Sequence, residues 1–181
     1  GRTDLVRDSP EISHTDFILP DYKDGGRIVT HNKIYELQIQ FEDRKTALAK
    51  FNGSVIQVFL PFGKPNMLKE AVEKLIIRDQ NDYLKQVIDE LNQLYFRGKY
   101  NSCRFKRMRH RFGSLSSKKN INIAFRLLFS PREVFRYVCL HELAHLKEFN
   151  HSKRFWNLVV SAMPEYKDHE KWLRNNGFML G

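Results

Sequence analysis

The sequence predicts an α+β fold: an N-terminal antiparallel β-meander, then helices, a basic β-hairpin and a buried helix carrying the candidate active site. Three observations predict it. Apolar residues alternate with polar ones from Ile34 to Phe41, which is the period of a half-buried strand, and Ser54 to Leu60 form a further, mostly apolar strand run ended by Pro61. From Asn66 to about Arg97 they recur at helical spacing, with Leu68, Val72, Leu75, Ile76, Tyr83, Val87, Leu91 and Leu94 on one side. Residues 130–156 then hold the pattern His-Glu-x-x-His followed by a third His.

Taken in order, residues 1–33 are polar with few apolar anchors and read as an N-terminal arm, partly ordered, ahead of one domain over residues 34–181. Within that domain, residues 34–61 form the meander. Tyr35, Leu37, Ile39 and Phe41 share one face of its first strand, and Ala47, Ala49 and Phe51 mark a second. Asn52-Gly53 supplies a tight turn into a third strand that Pro61 ends. Asn66 is the expected cap of the long helix, Gly98 its stop, and the polar run Arg78 to Asp82 a point at which it could divide. Cys103 to Phe112 reads as a basic strand, followed by Gly113-Ser114, a polar loop and a further strand, Ile121 to Phe125.

The motif helix is marked by Ser130 as N-cap, Pro131 at the first position and Glu133 as the reciprocal member of a capping box. A helix turns about 100° per residue, so His141 and His145 lie on one face, one turn apart, able to share one metal ion. Glu142 is then placed to take a proton from a water at that ion without being a ligand itself. In an unbroken helix His151 would point elsewhere. Asn150 as a C-cap and Ser152 as the cap of a new helix from Lys153 would swing it back as a third ligand, with Glu165, Asp168 or His169 as the other candidates for that position. The chemistry predicted is hydrolysis with Zn2+ or another divalent ion as Lewis acid and Glu142 as general base. Phe155-Trp156 fits a core beneath this site.

The formal net charge is +10, and ten basic residues against one acid lie between Tyr100 and Arg136. Arg107, Arg109, Arg111, Lys118, Lys119 and Arg126 are the candidate anion-binding residues, through which the segment 104–126 could meet a nucleotide or nucleic acid. Ile121, Asn122, Ile123, Ala124 and Phe125 are the candidate edge strand for an extended peptide, and Tyr137, Tyr166, His169 and Arg126 the candidate oxyanion donors. No apolar run is long enough to span a membrane, and two isolated cysteines, Cys103 and Cys139, suit reduced thiols in a cytoplasmic protein. Three functions compete: a zinc metallopeptidase-like hydrolase acting on a peptide or protein, a metal-dependent nucleoside triphosphate (phosphoanhydride) hydrolase, and a DNA-associated protease or nucleic-acid-binding module.

His141-Glu142-Leu143-Ala144-His145-Leu146, Asn150-His151-Ser152, Phe155-Trp156, Arg126-Leu127 and Arg109-His110-Arg111-Phe112-Gly113-Ser114 together resemble the YgjP-like metallopeptidase family of metal-dependent hydrolases, related to the SprT-like and WLM zincin proteases. The resemblance runs from about residue 34 to the end. It implies a zincin-like fold, a divalent metal on His141, His145 and His151, and Glu142 as the catalytic acid and base. This chain has Phe112 where the family usually has Trp, and Leu115 where it often has Cys.

Overall fold

In the computed structural model, which describes residues 18–180, the expected strand alternation appears as burial. Strand β2 (Ile34–Glu42) buries Tyr35 and Leu37, and β4 (Val55–Pro61) buries Ile56, Val58 and Leu60 against the same side. Between them β3 (Leu48–Asn52) joins β4 in a hairpin turned by Gly53 at φ 63°. The pairing differs from a meander. With β1 (Arg27–Val29) the order is β1-β2-β4-β3, and β2 runs parallel to β4, with Glu36 opposite Val55 and Phe41 opposite Leu60. The connection after β2 therefore passes β4 to place β3 on the outer edge. Period-two alternation fixes which face a strand buries, not which neighbour it bonds.

β1 (Arg27–Val29) pairs antiparallel with β2 and buries Ile28, so the later part of the segment expected to be an arm is built into the sheet. Residues 1–17 of that arm lie outside the described residues.

Helix α1 (Leu68–Leu91) follows a short 3-10 turn over Pro65–Met67, and Met67 rather than Asn66 occupies its cap position. The polar run that could have divided it does not. Gln80 is fully buried and donates to Thr30 Oγ1 (3.2 Å) and Tyr35 Oη (2.8 Å), Tyr35 donates to Asp79 (2.5 Å), and the Phe105 amide donates to Asn81 (3.0 Å). These side chains join the helix to the strands beside it, so the helix continues through them. A π-helical segment, Asn92–Phe96, extends the helix. Arg97 (φ 48°) then turns the chain, and the Asn92 amide exchanges hydrogen bonds with the Gly98 backbone at 2.8 and 3.0 Å.

The second sheet has the order β5-β7-β6, formed by β5 (Ser102–Lys106), β6 (Gly113–Leu115) and β7 (Asn120–Ala124). β5 is parallel to β7, and only β6 and β7 form a hairpin. The basic strand is thus not part of that hairpin. Helix α2 (Arg132–Ala144) lies between α1 and the C-terminal helices α3 (Lys153–Ala162) and α4 (Tyr166–Asn176). Its predicted capping box does not form: Ser130 Oγ donates to the Leu127 carbonyl (2.7 Å), and no side chain caps the first turn. Instead His31 holds the entry, with Nε2 donating to the Ser130 carbonyl (2.7 Å), Nδ1 accepting from Tyr83 Oη (3.1 Å) and its ring against Phe135.

Burial lowers the His31 pKa to about 4, against an ordinary 6.5, so the folded protein holds this ring neutral while the unfolded chain protonates it first. The unfolded state binds the extra proton between those values, so stability is lost as pH falls from 6.5 to 4, by up to roughly 3 kcal/mol. The drop in Tm from pH 7 to pH 5 should be larger in the parent than in His31→Gln; equal drops would show that His31 titrates like a free imidazole.

Candidate metal centre

Helix α2 ends at Ala144, so His145 sits just past it, still with helical backbone (φ −64°, ψ −18°), one turn after His141. The exit is made by tight turns, in which Leu146 donates to the Leu143 carbonyl and Lys147 to the Ala144 carbonyl, each at 3.0 Å. Asn150 does not adopt the left-handed conformation expected of it; among the described residues only Arg97, Lys119 and three glycines have positive φ. The other half of the expectation does form: Ser152 caps α3, its hydroxyl accepting from the Phe155 amide at 3.3 Å. With the helix broken and restarted, His151 returns to its neighbours.

The three imidazoles converge. His151 Nε2 lies 3.1 Å from His141 Nε2 and 3.2 Å from His145 Nε2. Ligands about 2.1 Å from a tetrahedral ion stand about 3.4 Å from one another, so these spacings fit a zinc-sized ion. The donor chemistry fits too. Burial and the two neighbouring imidazoles lower the His141 pKa to about 3, and burial first also lowers that of His145, so both offer lone pairs rather than protons. His145 Nδ1 lies 3.1 Å from the Glu148 carbonyl, which requires the proton on Nδ1 and leaves Nε2 free to coordinate. His151 is exposed, which keeps one side of the cluster open to solvent.

Aromatic rings hold these positions. Phe155, fully buried, lies beneath all three, with centroids 4.9, 4.5 and 4.9 Å from His141, His145 and His151. A second set closes around the side: Trp156 stacks on His151 (5.9 Å), Tyr166 on Trp156 (5.3 Å) and Tyr137 on Tyr166 (6.3 Å), and Tyr137 meets His141 edge-on (5.9 Å). Phe155 and Trp156 thus form the floor and wall of the cluster. The other candidates for the third position stand apart: Glu165 and Asp168 are exposed near the start of α4, and His169 Nε2 lies 3.9 Å from Glu165. None of the three belongs to the convergent group.

Glu142 is buried beside the cluster, and loss of solvation raises its pKa to about 7 while the charge of Arg111 pulls it the other way. Its neighbour is β6. A Cβ on Gly113 would stand 2.9 Å from Glu142 Cγ and Oε1, so only glycine lets the strand approach this closely. In the sequence Gly113 reads only as the residue that follows a basic strand and as part of the family pattern, although a glycine within a strand pattern often marks a close approach.

The candidate peptide edge needs correction. Residues 121–124 lie in β7, which is hydrogen-bonded on both sides, and Ile121 to Phe125 are all buried, so this strand cannot receive an added chain. β6 is the outer strand on the Glu142 side. The six candidate anion-binding residues also separate. Arg107 is paired with Glu73 (2.5 Å) and Glu70 (3.7 Å). Lys118 and Lys119 occupy the turn at the end of the β6–β7 hairpin away from Gly113. Arg126 spends its guanidinium on the carbonyls of Gly177 (3.2 Å) and Arg111 (3.1 Å), its carbon 4.3 Å from the Phe112 ring centre. Arg109 and Arg111 remain exposed on the segment that leads into Gly113.

Among the described residues no helix is long and apolar enough to cross a membrane. Over 58 residues, 32% of this chain and 35% of the relative, the sequence is 38% identical to the UTP pyrophosphatase of Escherichia coli (strain K12), so the match spans about a third of that protein's length. Two metallopeptidase zymogen crystal structures are similar at 24% identity. Abylysin of Pyrococcus abyssi matches over 48% of this chain and 88% of its own with a TM-score of 0.45, and jannalysin of Methanocaldococcus jannaschii over 50% and 93% with 0.43. These are too distant to carry an argument about fold or activity. The family model described as the YgjP-like metallopeptidase domain matches residues 10–176, nearly the whole chain. The chain belongs to the YgjP-like metallopeptidase domain family.

Proposed function

We propose that His141, His145 and His151 hold a catalytic zinc ion and that Glu142 is the general base of a hydrolytic reaction. The observation that carries this reading is the convergence of three Nε2 atoms, with 3.1 and 3.2 Å between neighbours, beside a buried carboxyl whose pKa is raised to about 7. An ion held by these three histidines would supply Lewis acidity toward a water and toward the scissile bond. Glu142 takes the proton of that water and returns it to the leaving group, a task that suits a carboxyl poised near neutrality. Gly113 keeps the carboxyl from being crowded, and Phe155 and Trp156 keep the imidazoles in place.

For the substrate, the family supports a peptide. β6 is the outer strand beside Glu142, where an extended chain could be added as a further strand. A second reading is supported by one specific feature: Arg111, exposed and near enough to Glu142 to influence its charge, stands with Arg109 on the segment before Gly113. Guanidinium groups there would counter the charge of a nucleoside triphosphate as a phosphoanhydride breaks. The curated relative, named a UTP pyrophosphatase, is consistent with this second reading. A nucleic-acid backbone is less well served, because Arg107 is neutralised by acids and Lys118 and Lys119 lie at the other end of the hairpin.

His141→Ala and His145→Ala should each purify without stoichiometric zinc when assayed by elemental analysis; a full complement in either would show the ligand set to be wrong. Glu142→Gln should keep zinc and lose turnover by about a hundredfold or more, and retained turnover would remove it as the base. Gly113→Ala should also keep zinc, yet lose about tenfold or more in kcat because the new methyl displaces the carboxyl; unchanged kcat would show that the strand yields instead. To separate the substrates, the zinc-loaded protein and Glu142→Gln are incubated with a peptide library and with nucleoside triphosphates, and products are read by mass spectrometry. Peptide fragments made only by the parent support the peptidase reading. Release of a nucleotide and inorganic phosphate or pyrophosphate, weakened by Arg111→Ala, supports the phosphoanhydride reading.

A further inference from the structure

Two of the three imidazoles have a visible partner on the nitrogen facing away from the cluster. For His145 the partner is a backbone carbonyl in its own turn. For His141 it is a side chain: Tyr137 Oη lies 3.4 Å from His141 Nδ1 and also 3.4 Å from Glu170 Oε2 on α4. A tyrosine hydroxyl has one proton, so it can donate in only one direction at a time. If His141 Nε2 is to present its lone pair to the cluster, Nδ1 carries the proton and donates to the Tyr137 oxygen. Among the described residues the Tyr137 proton then has the Glu170 carboxylate as its acceptor. The three groups thus admit one consistent direction of donation, from imidazole to phenol to carboxylate.

The surroundings keep this chain aligned. Tyr137 precedes His141 by one helical turn and is 4% exposed, its ring held between His141 and the stacked ring of Tyr166. Glu170 is on the same helix as Tyr166, one turn later, and its other oxygen lies 3.4 Å from Arg174. α4, which supplies none of the clustered histidines, brings both the ring that positions the phenol and the carboxylate that accepts its proton.

We propose that Tyr137 and Glu170 form an outer relay that fixes the tautomer and orientation of His141 and so tightens metal binding, Tyr137 being the positioning residue and Glu170 its anchor. The proposal rests on His141 being a metal ligand. Partners of this kind on a ligating imidazole are worth about 10- to 100-fold in metal affinity.

The test is the dissociation constant for zinc(II), measured by competition with a chromophoric chelator, in the parent, Tyr137→Phe, Glu170→Ala, the double variant and His141→Ala. The Tm of each metal-free protein is measured alongside. Tyr137→Phe keeps the ring stack and removes only the hydroxyl, so its metal-free Tm should stay near that of the parent while zinc binding weakens about tenfold or more. Glu170→Ala, at a half-exposed position, should also weaken binding, and the double variant should be no weaker than Tyr137→Phe alone because the two act in series. Parent-like affinity in Tyr137→Phe, or losses that add in the double variant, overturns the relay. If instead His141→Ala binds zinc as the parent does, the ligand assignment falls and the relay falls with it.

Discussion

Bringing the Nε2 atoms of His141 and His145 each within about 3 Å of that of His151 is the constraint on which the rest of the structure turns. Imidazole lone pairs facing one another repel unless a cation lies between them, and burial and neighbouring imidazoles oppose a proton on His141 and His145. The fold accepts this arrangement because each ring is wedged by something apolar or stacked. Phe155 lies under all three, Trp156 backs His151, and Tyr137 backs His141. Packing rather than hydrogen bonding holds most of the centre, so its geometry can persist while one side stays open to solvent at His151.

The same economy extends outward. Helix α1 joins the strands beside it through Asp79, Gln80 and Asn81, and α2 lies against α1 with its entry fixed by His31. β6 then closes against Glu142 at Gly113, where a side chain would meet the Glu142 carboxyl. Arg126 fastens the segment just before β6 to the C-terminal turn, by donating to the Arg111 and Gly177 carbonyls and lying on Phe112. The exposed Arg109 and Arg111 are thus carried on a segment anchored at both ends, by Arg107 on Glu73 and by Arg126. A basic residue that looks available for an anion in the sequence can be an anchor in the structure.

The centre was legible in the sequence where its geometry is local. The four-residue spacing of His141 and His145 needs only a helix, and the return of His151 needs only a break, for which Ser152 gave a cap signal that the structure keeps. The spans of the strands on either side of Asn52-Gly53 were legible for the same reason, whereas the basic strand read from Cys103 to Phe112 ends at Lys106 and Gly113–Leu115, read as leading into a loop, is a strand. What could not be read depends on partners far away in the chain. The parallel pairing of β2 with β4 leaves no mark in either strand. The uninterrupted helix at Arg78 to Asp82 follows from buried bonds to Thr30, Tyr35 and Phe105, which no window of sequence contains. The central position of β7 did leave a mark that was read past: Ile121 to Phe125 is nearly all apolar, as suits a strand covered on both faces, whereas an edge strand would alternate. The contribution of α4 lies in Tyr166 and Glu170 reaching Tyr137, a contact between helices that their own sequences do not announce.

The most direct test of the central claim is a crystal structure of the zinc-loaded protein with anomalous data collected on both sides of the zinc absorption edge. The account predicts one strong zinc peak about 2.1 Å from the Nε2 atoms of His141, His145 and His151. A peak held by only two of these histidines, or one centred on Glu165, Asp168 or His169, would contradict it.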